Sequence, residues 1–521
     1  MALQLFDLFT GKYSNTTIQL SGLGGFIIAF SLFSVLMKEI KIYLNEVVLG
    51  TVFGIIIGPH GGNILNPRSW SSSLEYQNNI TLEVIRIILG VGLFIIGVKL
   101  PENYMWKHAS SLLAMVIPTM AFGWLLVGGI LKVLFPSLTF VSCLVIAACL
   151  TPTDPIICSA IVAVKKFAKD HVHIKLRQIL SAESAANDGL AYPFLSISIY
   201  LTVESSKRVA FGKWFLIGWL YQVILGVILG AVMGLFSSRS ELLERSKGHV
   251  DRESYVAQLN TSRYIAMALF TVGLAHTIGS DDLLAAFATG TALSWDGHFT
   301  KKTKDKQMEN DKQTEETEKE TFVSALGLCI SVPGYLSKPL NMPSLGIVPW
   351  KLTVLFISTI FLRRIPPLML LSYWVPEIGS WKKALFSGHF ETHLVGPMGV
   401  GAVFISTLAL TELSPPHNPP RNQEELLALY IQPVVAFIVL GSSIIHGLSI
   451  PFYSLWSQFL IPFLRQLTCS NGTSPVKETS IALDTISAPI PDVERALSNI
   501  SSFNNSAAHG HRTISTFSAH R

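Results

Sequence analysis

Long apolar runs separated by short polar connections make up most of the chain. A bilayer core of about 30 Å is crossed by roughly 20 apolar residues in a helix, and many of these runs reach that length. The pattern predicts an all-α polytopic membrane protein with about thirteen transmembrane helices, near residues 18–37, 46–64, 81–98, 109–134, 138–164, 178–203, 214–236, 256–278, 282–296, 322–342, 351–373, 393–413 and 427–462. The last run is too long for one simple span, and we expect it to bend near Pro451.

Polar stretches divide the chain into regions. Residues 1–17 predict a short extracellular N-terminus, and residues 18–463 form the predicted transmembrane domain. Within that domain, residues 300–321 are almost wholly polar and predict a cytoplasmic loop. Residues 464–521 are rich in Ser, Asn, Thr and His without a sustained apolar period, which predicts a disordered cytoplasmic tail.

The composition indicates lipid as the surrounding solvent. Of the 521 residues, 50% are hydrophobic and 14% are charged, and the mean hydropathy is +0.46, whereas soluble proteins average about 25% charged residues. The five cysteines form no C-x-x-C pair, so we expect small buried hydrophobes rather than metal or redox sites. The sequence lacks the glycine-rich Walker A motif that cradles ATP phosphates. We therefore expect no ATP-driven activity, no cofactor and no nucleic-acid partner.

Lysine and arginine set the orientation of the spans. Basic clusters follow the odd-numbered spans, as in residues 165–177 and 301–319, whereas the early even-numbered connections hold few basic residues. Because positive charge is retained in the cytoplasm, this asymmetry places the N-terminus outside and the C-terminal tail inside.

Two aspartates lie inside apolar spans, where a carboxylate costs at least about 2.5–3.5 kcal/mol on insertion scales. Asp154 follows Pro152 and precedes Pro155 in the fifth span, and Asp188 lies in the sixth. Counted from the inner face, both are about ten residues deep, or roughly 15 Å at 1.5 Å per residue. Two antiparallel helices thus present carboxylates at one level, and the two prolines predict a broken helix beside them.

A broken helix at this depth is typical of cation sites in transporters, because freed carbonyls and side-chain oxygens can coordinate Na⁺ or H⁺. Thr153, Asp154, Ser184, Asp188 and the freed carbonyls are the candidate ligands for a transported Na⁺. Two nearby carboxylates also raise one another's proton affinity, so proton and metal ion would compete for one site. The alternative is that each aspartate is a structural hydrogen-bond acceptor or belongs to a buried ion pair.

Other charged residues in or near the spans have two interpretations each. Glu183 needs a buried cation, and Arg363 and Arg364 are the candidate partners, unless they mark the cytoplasmic end of a span. Asp281 and Asp282 open the ninth segment, where acidic residues also serve as helix caps. His389 near the inner mouth is either a pH-sensitive group or an ordinary interfacial histidine.

Several motifs together resemble the fungal plasma-membrane sodium/proton antiporters of the monovalent cation/proton antiporter superfamily. The resemblance covers roughly residues 17–463. It is carried by Thr151-Pro-Thr-Asp154-Pro155, by Ser181-Ala-Glu-Ser-x-x-Asn187-Asp188-Gly, by Asp281-Asp-Leu-Leu-x-Ala-Phe, by Ser294-Trp-Asp-Gly297, by Arg363-Arg-x-Pro366 and by Gly396-Pro-Met-Gly-Val-Gly401.

The resemblance implies an inverted-repeat fold in which two broken helices cross at mid-membrane, and it implies a homodimer. It assigns the ion- and proton-carrying carboxylate to Asp188, with Asn187 beside it. Asp154, Thr153 and Ser184 would complete the cation site, and Glu183 would pair with Arg364 as structural support. The implied activity is exchange of Na⁺, Li⁺ or K⁺ for H⁺ across the plasma membrane, for salt tolerance and pH and ion homeostasis.

The sequence departs from the family pattern at three places. Lys99 stands where a glutamate is usual, the segment 322–349 is irregular, and residues 391–395 interrupt a motif that is normally continuous. We interpret the last two as translated or missing splice segments.

The leading functional prediction is a secondary antiporter rather than an enzyme. A transport-inactive ion sensor or regulator is an alternative, because the irregular tenth segment would impair transport. An intramembrane aspartyl protease is a second alternative, since two mid-membrane aspartates can activate water. Such proteases generally show Tyr-Asp and Gly-x-Gly-Asp contexts, which Asp154 and Asp188 lack.

Overall fold

The structure, a computed structural model, describes residues 24–30, 32–33, 46–59, 61–66, 73–154, 174–246, 253–295, 325–329, 340–371 and 396–455. Regular structure in these ranges is helical, apart from one isolated bridge between Met342 and Ile347. The principal helices are α1 (Glu46–Ile57), α2 (Leu74–Lys99), α3 (Ala109–Leu134), α4 (Phe140–Cys149), α5 (Ile174–Val203), α6 (Lys207–Lys213), α7 (Leu225–Ser246), α8 (Glu253–Ile278), α9 (Asp282–Leu293), α10 (Pro349–Leu362), α11 (Ile365–Leu371), α12 (Val400–Thr411) and α13 (Gln423–Leu455). The predicted all-α class is confirmed for this part of the chain.

Within the described ranges, four helices are long and apolar enough to cross a membrane: Glu75–Lys99, Ala109–Leu134, Lys207–Arg239 and Gln423–Leu448. The third of these is continuous because a π-helix, Trp214–Ile224, joins α6 to α7. Shorter apolar helices are Val48–Ile57, Phe140–Cys149, Arg263–Ile278, Asp282–Leu293 and Val400–Thr411. Several predicted spans extend beyond the described residues, so the number thirteen stays a prediction.

Three of the predicted spans contain non-helical residues in their described parts. α4 ends at Cys149 and is followed by a non-helical stretch at 151–154, as the flanking prolines predicted. The apolar pattern did not predict the other two non-helical stretches, because it indicated continuous spans there. α10 ends at Leu362 and α11 begins only at Ile365, and the non-helical residues 396–399 precede α12. All three interruptions border the same buried region.

The core of the described structure is built around α4, in which every residue from Ser142 to Cys149 is buried. Cys143, Cys149 and Cys329 are buried free thiols, as predicted, whereas Cys158 and Cys469 lie outside the described residues. In contrast, the π-helix and α7 expose large apolar side chains such as Phe215 and Phe236. Surface of this kind is compatible with lipid, whose tails are as apolar as leucine.

Some predicted regions fall outside the described residues. These are residues 1–17, 300–321, 391–395 and 464–521, together with His389. Of the irregular segment 322–349, the described part comprises 325–329 and 340–349, and the helical piece 325–329 contributes Ala325 and Cys329 to a small buried cluster with Ile57 of α1. α13 continues as a helix through Pro451 to Leu455.

Candidate ion-binding site

Two interrupted segments meet at Asp154. The backbone N–H of Asp154 donates to the carbonyl of Pro397 at 2.7 Å. The side chain then accepts, through Oδ2, a hydrogen bond of 2.9 Å from the backbone N–H of Val400, the first residue of α12. Asp154 therefore joins the non-helical end of one span to the beginning of another, and its carboxylate faces the positive end of a helix dipole.

The sequence explains both interruptions locally. Pro152 has no N–H and so cannot continue the hydrogen bonding of α4, and Pro397 has the same effect in the segment before α12. Backbone groups that such breaks release must find partners inside a membrane protein. The N–H of Met398 does so by donating to Ser442 Oγ of α13 at 2.8 Å.

Asp188, like Asp154, lies at the N-terminal end of α12. A Cβ atom added to Gly401, in the first turn of α12, would stand 2.6 Å from Asp188 Oδ1, so the carboxylate packs directly against that backbone. Asp188 is 2% exposed, and neither of its oxygens has a hydrogen-bond partner within the described structure. The two aspartates predicted at matched depth are thus brought together, and one of them is left unpartnered.

Thr153, Ser184 and Asn187 form a hydrogen-bonded group beside the two aspartates. The Thr153 N–H donates to Asn187 Oδ1 at 3.0 Å, and Asn187 Nδ2 donates back to Thr153 Oγ1 at 2.6 Å. Thr153 Oγ1 in turn donates to Ser184 Oγ at 3.1 Å. These bonds fix the broken segment 151–154 to α5, the helix that carries Asp188.

Glu183 and Arg364 form a buried, two-pronged ion pair. Arg364 Nη1 donates to Glu183 Oε1 at 3.1 Å, and Nη2 donates to Oε2 at 2.7 Å. Asn187 Nδ2 also donates to Glu183 Oε1, at 3.2 Å. A parallel fork of this kind is the strongest arginine–carboxylate geometry. It connects the junction between α10 and α11 to α5.

Arg363 makes different contacts from those expected of a partner for Glu183. Its guanidinium donates to the carbonyls of Leu150, Thr151, Pro152 and Gly396. Both arginines are buried, so they do not mark an exposed end of a span. The finding also changes the expected ligand set, because these four freed carbonyls already accept hydrogen bonds from an arginine.

A small cavity adjoins this region. It is lined by Thr119, Met120, Gly123, Thr151, Glu183, Asn187, Arg363 and Arg364. Three of these residues belong to α3, which sequence reasoning did not connect with the site. A threonine and a glycine in an apolar span were the only local signals of that contribution.

The secondary candidates lie at the start of α9. Asp281 is the N-cap residue, and its Oδ1 accepts a hydrogen bond of 2.8 Å from the Leu284 N–H. Asp282 Oδ2 lies 2.6 Å from Arg86 Nε of α2, and both residues are buried. Sequence reasoning missed Arg86, although a charged residue inside the predicted span 81–98 is the same signal that identified the aspartates.

Arg86 belongs to a group that we call the α2–α9 charge cluster, comprising Glu83, Arg86, His276 and Asp282. Arg86 also hydrogen-bonds Glu83, and its Nη1 lies 3.3 Å from His276 Nε2. Its guanidinium stands over the Phe404 ring of α12, 5.7 Å from the ring centroid. Among the described residues, no group of three or more His, Cys, Asp or Glu is arranged to hold a metal ion.

Comparison with known proteins identifies relatives of the whole described region. Residues 26–456 match the family described as sodium/hydrogen exchanger, transmembrane. A probable Na⁺/H⁺ antiporter of Schizosaccharomyces pombe is 38% identical over 442 residues, which cover 83% of this chain and 55% of that protein. The Na⁺/H⁺ antiporter of Saccharomyces cerevisiae is 36% identical over 463 residues, covering 85% of this chain and 44% of that protein. The chain thus spans about half the length of these two relatives.

A second Schizosaccharomyces pombe Na⁺/H⁺ antiporter is matched over almost its full length, with 33% identity across 86% of this chain and 92% of that protein. Among solved structures, the sodium proton antiporter of Methanocaldococcus jannaschii at pH 8 superposes with a TM-score of 0.57 at 18% identity, covering 86% of this chain and 98% of that one. This likeness confirms the predicted fold class.

Proposed function

Because the chain belongs to the sodium/hydrogen exchanger family, we propose that it is a secondary antiporter that exchanges Na⁺ for H⁺. The family consists of transporters, and the named relatives are antiporters rather than enzymes, which removes the protease alternative. Na⁺ and H⁺ are the substrates we propose for this chain.

The observation that carries the proposal is that the buried Asp188 carboxylate has no hydrogen-bond partner within the described structure. A buried carboxylate without a hydrogen-bond partner is costly, and either a proton or a cation relieves that cost. A site that holds one or the other, and never both, couples the two fluxes without any energy source beyond the gradients. Asp188 is therefore the proposed carrier of both substrates.

The neighbours of Asp188 have separate proposed roles. Asp154 faces the same turn of α12 but accepts a hydrogen bond from its backbone, so it adds negative charge while holding the crossing in shape. Thr153 and Ser184 offer hydroxyl oxygens next to the carboxylates, and Asn187 orients Thr153. Hard monovalent cations prefer oxygen ligands of this kind. Together they form a cation site composed of side-chain oxygens.

We further propose that the protein exports cytoplasmic Na⁺, and also Li⁺ or K⁺, across the plasma membrane against external H⁺. The N-terminus would lie outside and the C-terminal tail in the cytoplasm, with a homodimer as the working form. The positive-inside asymmetry of the loops supports this orientation. A role in salt tolerance and in pH and ion homeostasis would follow from that direction of transport.

The test is Na⁺-driven proton flux in proteoliposomes that contain the purified full-length protein. Asp188→Asn should reduce the flux to that of protein-free vesicles, because the amide cannot exchange a proton for a cation. Glu75→Gln is the matched control, since Glu75 is an exposed carboxylate of α2 and its loss should leave the flux unchanged.

Equal exchange by the Asp188→Asn and wild-type proteins would reject the assignment of Asp188. A wild-type protein without Na⁺-dependent, Li⁺-dependent or K⁺-dependent flux would instead favour the alternative of a transport-inactive sensor.

A further inference from the structure

We propose that Arg363 is a positioning residue for cation binding, which fixes the crossing of the two interrupted segments and withdraws their backbone carbonyls from the ion. The inference concerns the same site as the proposed antiport and rests on it. It gives Arg363 a role of its own, whereas the apolar pattern offered both adjacent arginines only as candidate partners for Glu183.

The contacts of Arg363 reach both segments at once. Nη1 lies 2.5 Å from the Leu150 carbonyl oxygen, 2.8 Å from that of Thr151 and 3.4 Å from that of Pro152, at the end of α4. Nη2 lies 2.8 Å from the carbonyl oxygen of Gly396, in the segment that precedes α12. One rigid guanidinium thus bridges two stretches of chain that are more than 200 residues apart in sequence.

The adjacent arginine has another kind of partner. Arg364 pairs with the Glu183 carboxylate, whereas the hydrogen bonds that Arg363 donates within the described residues all go to backbone carbonyls. Arg363 is 5% exposed, so its charge is compensated inside the protein by carbonyl dipoles at the C-terminal end of α4. The residue type fits the task, because a planar fork of several donors can serve divergent carbonyls while the lysine ammonium is a single point charge.

The packing around Arg363 also leaves room for this geometry. A Cβ atom on Gly123 of α3 would stand 2.8 Å from Arg363 Cγ and 3.3 Å from its carbonyl oxygen. The side chain therefore runs against bare backbone before its guanidinium reaches the two segments. This close approach restricts where the fork can lie.

The arrangement has a direct consequence for the ion. Asp154 is held by Pro397 and Val400, which follow Gly396 by one and four residues, so a shift between the segments would move Asp154 relative to Asp188. In addition, a carbonyl that accepts a hydrogen bond from Arg363 is a poor cation ligand, because the guanidinium charge beside it repels the ion. The ion then relies mainly on side-chain oxygens, and its affinity depends on the crossing that Arg363 fixes.

The experiment compares Arg363→Lys, Arg363→Gln and Arg364→Gln in the full-length protein, each alone and with Glu183→Gln. Apparent KM and maximal rate for Na⁺ and Li⁺ are measured in proteoliposomes, and thermal unfolding is followed in detergent with and without Na⁺. We expect Arg363→Lys to fold and to raise the apparent KM for Na⁺ about tenfold, with a smaller change in maximal rate. Loss of a group that orients metal ligands typically weakens metal binding by about 10–100-fold.

The double variants separate the two arginines. Glu183→Gln should restore folded yield and exchange to Arg364→Gln, because the double variant no longer buries an unpaired carboxylate. The same substitution should not rescue Arg363→Gln, since the partners of Arg363 are backbone carbonyls.

An apparent KM within twofold of wild type in Arg363→Lys would overturn the proposal, as would rescue of Arg363→Gln by Glu183→Gln. If Arg363→Gln does not fold, Arg363→Lys decides alone. A wild-type protein that lacks exchange would reject the proposed function instead. In that case the test of Arg363 is the rise in unfolding temperature that Na⁺ induces. The proposal is rejected if Arg363→Lys shows the same rise as the wild type, or if the wild type shows no rise.

Discussion

The crossing site and the α2–α9 charge cluster contain similar residues in different states. In the cluster, the buried acid faces a base, because Asp282 Oδ2 lies 2.6 Å from Arg86 Nε. At the crossing, Glu183 is paired with Arg364 in the same way, but Asp188 is buried with both oxygens unpartnered in the described structure. Burial of a charge therefore does not identify the ion-carrying group. The unpaired state distinguishes Asp188, and the substitutions below test that distinction.

The largest effect on stability should come from breaking the Arg86–Asp282 pair. Arg86→Gln leaves a buried carboxylate without its main partner, which typically costs about 3–5 kcal/mol. Because Glu83 and His276 are half exposed, water can relieve part of this cost, and we expect about 3 kcal/mol. The measurement is chemical unfolding in mixed micelles, with Lys107→Gln as a control at an exposed position.

Arg86→Gln combined with Asp282→Asn should recover more than half of that loss. If the double variant is no more stable than Arg86→Gln alone, the two residues do not act as a pair, and the comparison between the regions fails.

A smaller loss of stability, together with weaker Na⁺ binding, is expected when the contact between α12 and Asp188 is changed. Gly401→Ala places a methyl group where only 2.6 Å separates it from Asp188 Oδ1, so the carboxylate or the helix must shift. Overpacking of this kind costs about 1–3 kcal/mol. The apparent KM for Na⁺ should rise at least about tenfold, because a ligand has moved. Gly129→Ala is the matched control, since a Cβ at Gly129 of α3 meets no atom within 4 Å.

Unchanged Na⁺ kinetics in Gly401→Ala would show that the close contact with Asp188 does not set the geometry of the ion. That result would also weaken the assignment of the first turn of α12 to the site.

Neutralising the unpaired acid should stabilise the protein. Asp188→Asn removes a buried charge that has no partner to lose, so we expect a gain of about 1 kcal/mol in Na⁺-free buffer at alkaline pH, where neither a proton nor a cation neutralises the carboxylate, together with the loss of exchange. Asp282→Asn should have the opposite sign, because it strands Arg86. Destabilisation by both substitutions would indicate that Asp188 is a structural acceptor.

The sequence located the two aspartates because a charge in an apolar run is expensive wherever the rest of the chain folds. It also predicted the non-helical stretch at 151–154, because Pro152 and Pro155 lack the backbone N–H that a continuous helix needs. The other two non-helical stretches depend on contacts between residues that are far apart in sequence. Arg363 and Arg364 lie between α10 and α11, and their partners Gly396, Glu183 and Leu150 are 33 to 213 residues away. No local pattern encodes such contacts.

The backbone carbonyls of residues 150–152 show the same limit of prediction from sequence. Proline predicts that they lose their helical partners, but the group that replaces those partners follows from tertiary packing alone. Arg86 is a different case, because the penalty for a charge in an apolar run applied to it as much as to Asp154. The apolar pattern therefore indicates a costly charge at Arg86, but it does not indicate that Asp282, on another helix, is the partner.

The smallest effect is expected at the rim of the α2–α9 charge cluster. The His276 side chain is 51% exposed, with Nδ1 3.6 Å from Asp282 Oδ2 and Nε2 3.7 Å from Glu83 Oε1. Exposed ion pairs contribute about 0–1 kcal/mol, because water screens them and side-chain ordering opposes them. His276→Gln should therefore lower the free energy of unfolding by less than about 0.5 kcal/mol in the micelle assay used for Arg86→Gln. A loss as large as that of Arg86→Gln would mean that the imidazole, rather than the buried guanidinium, neutralises Asp282.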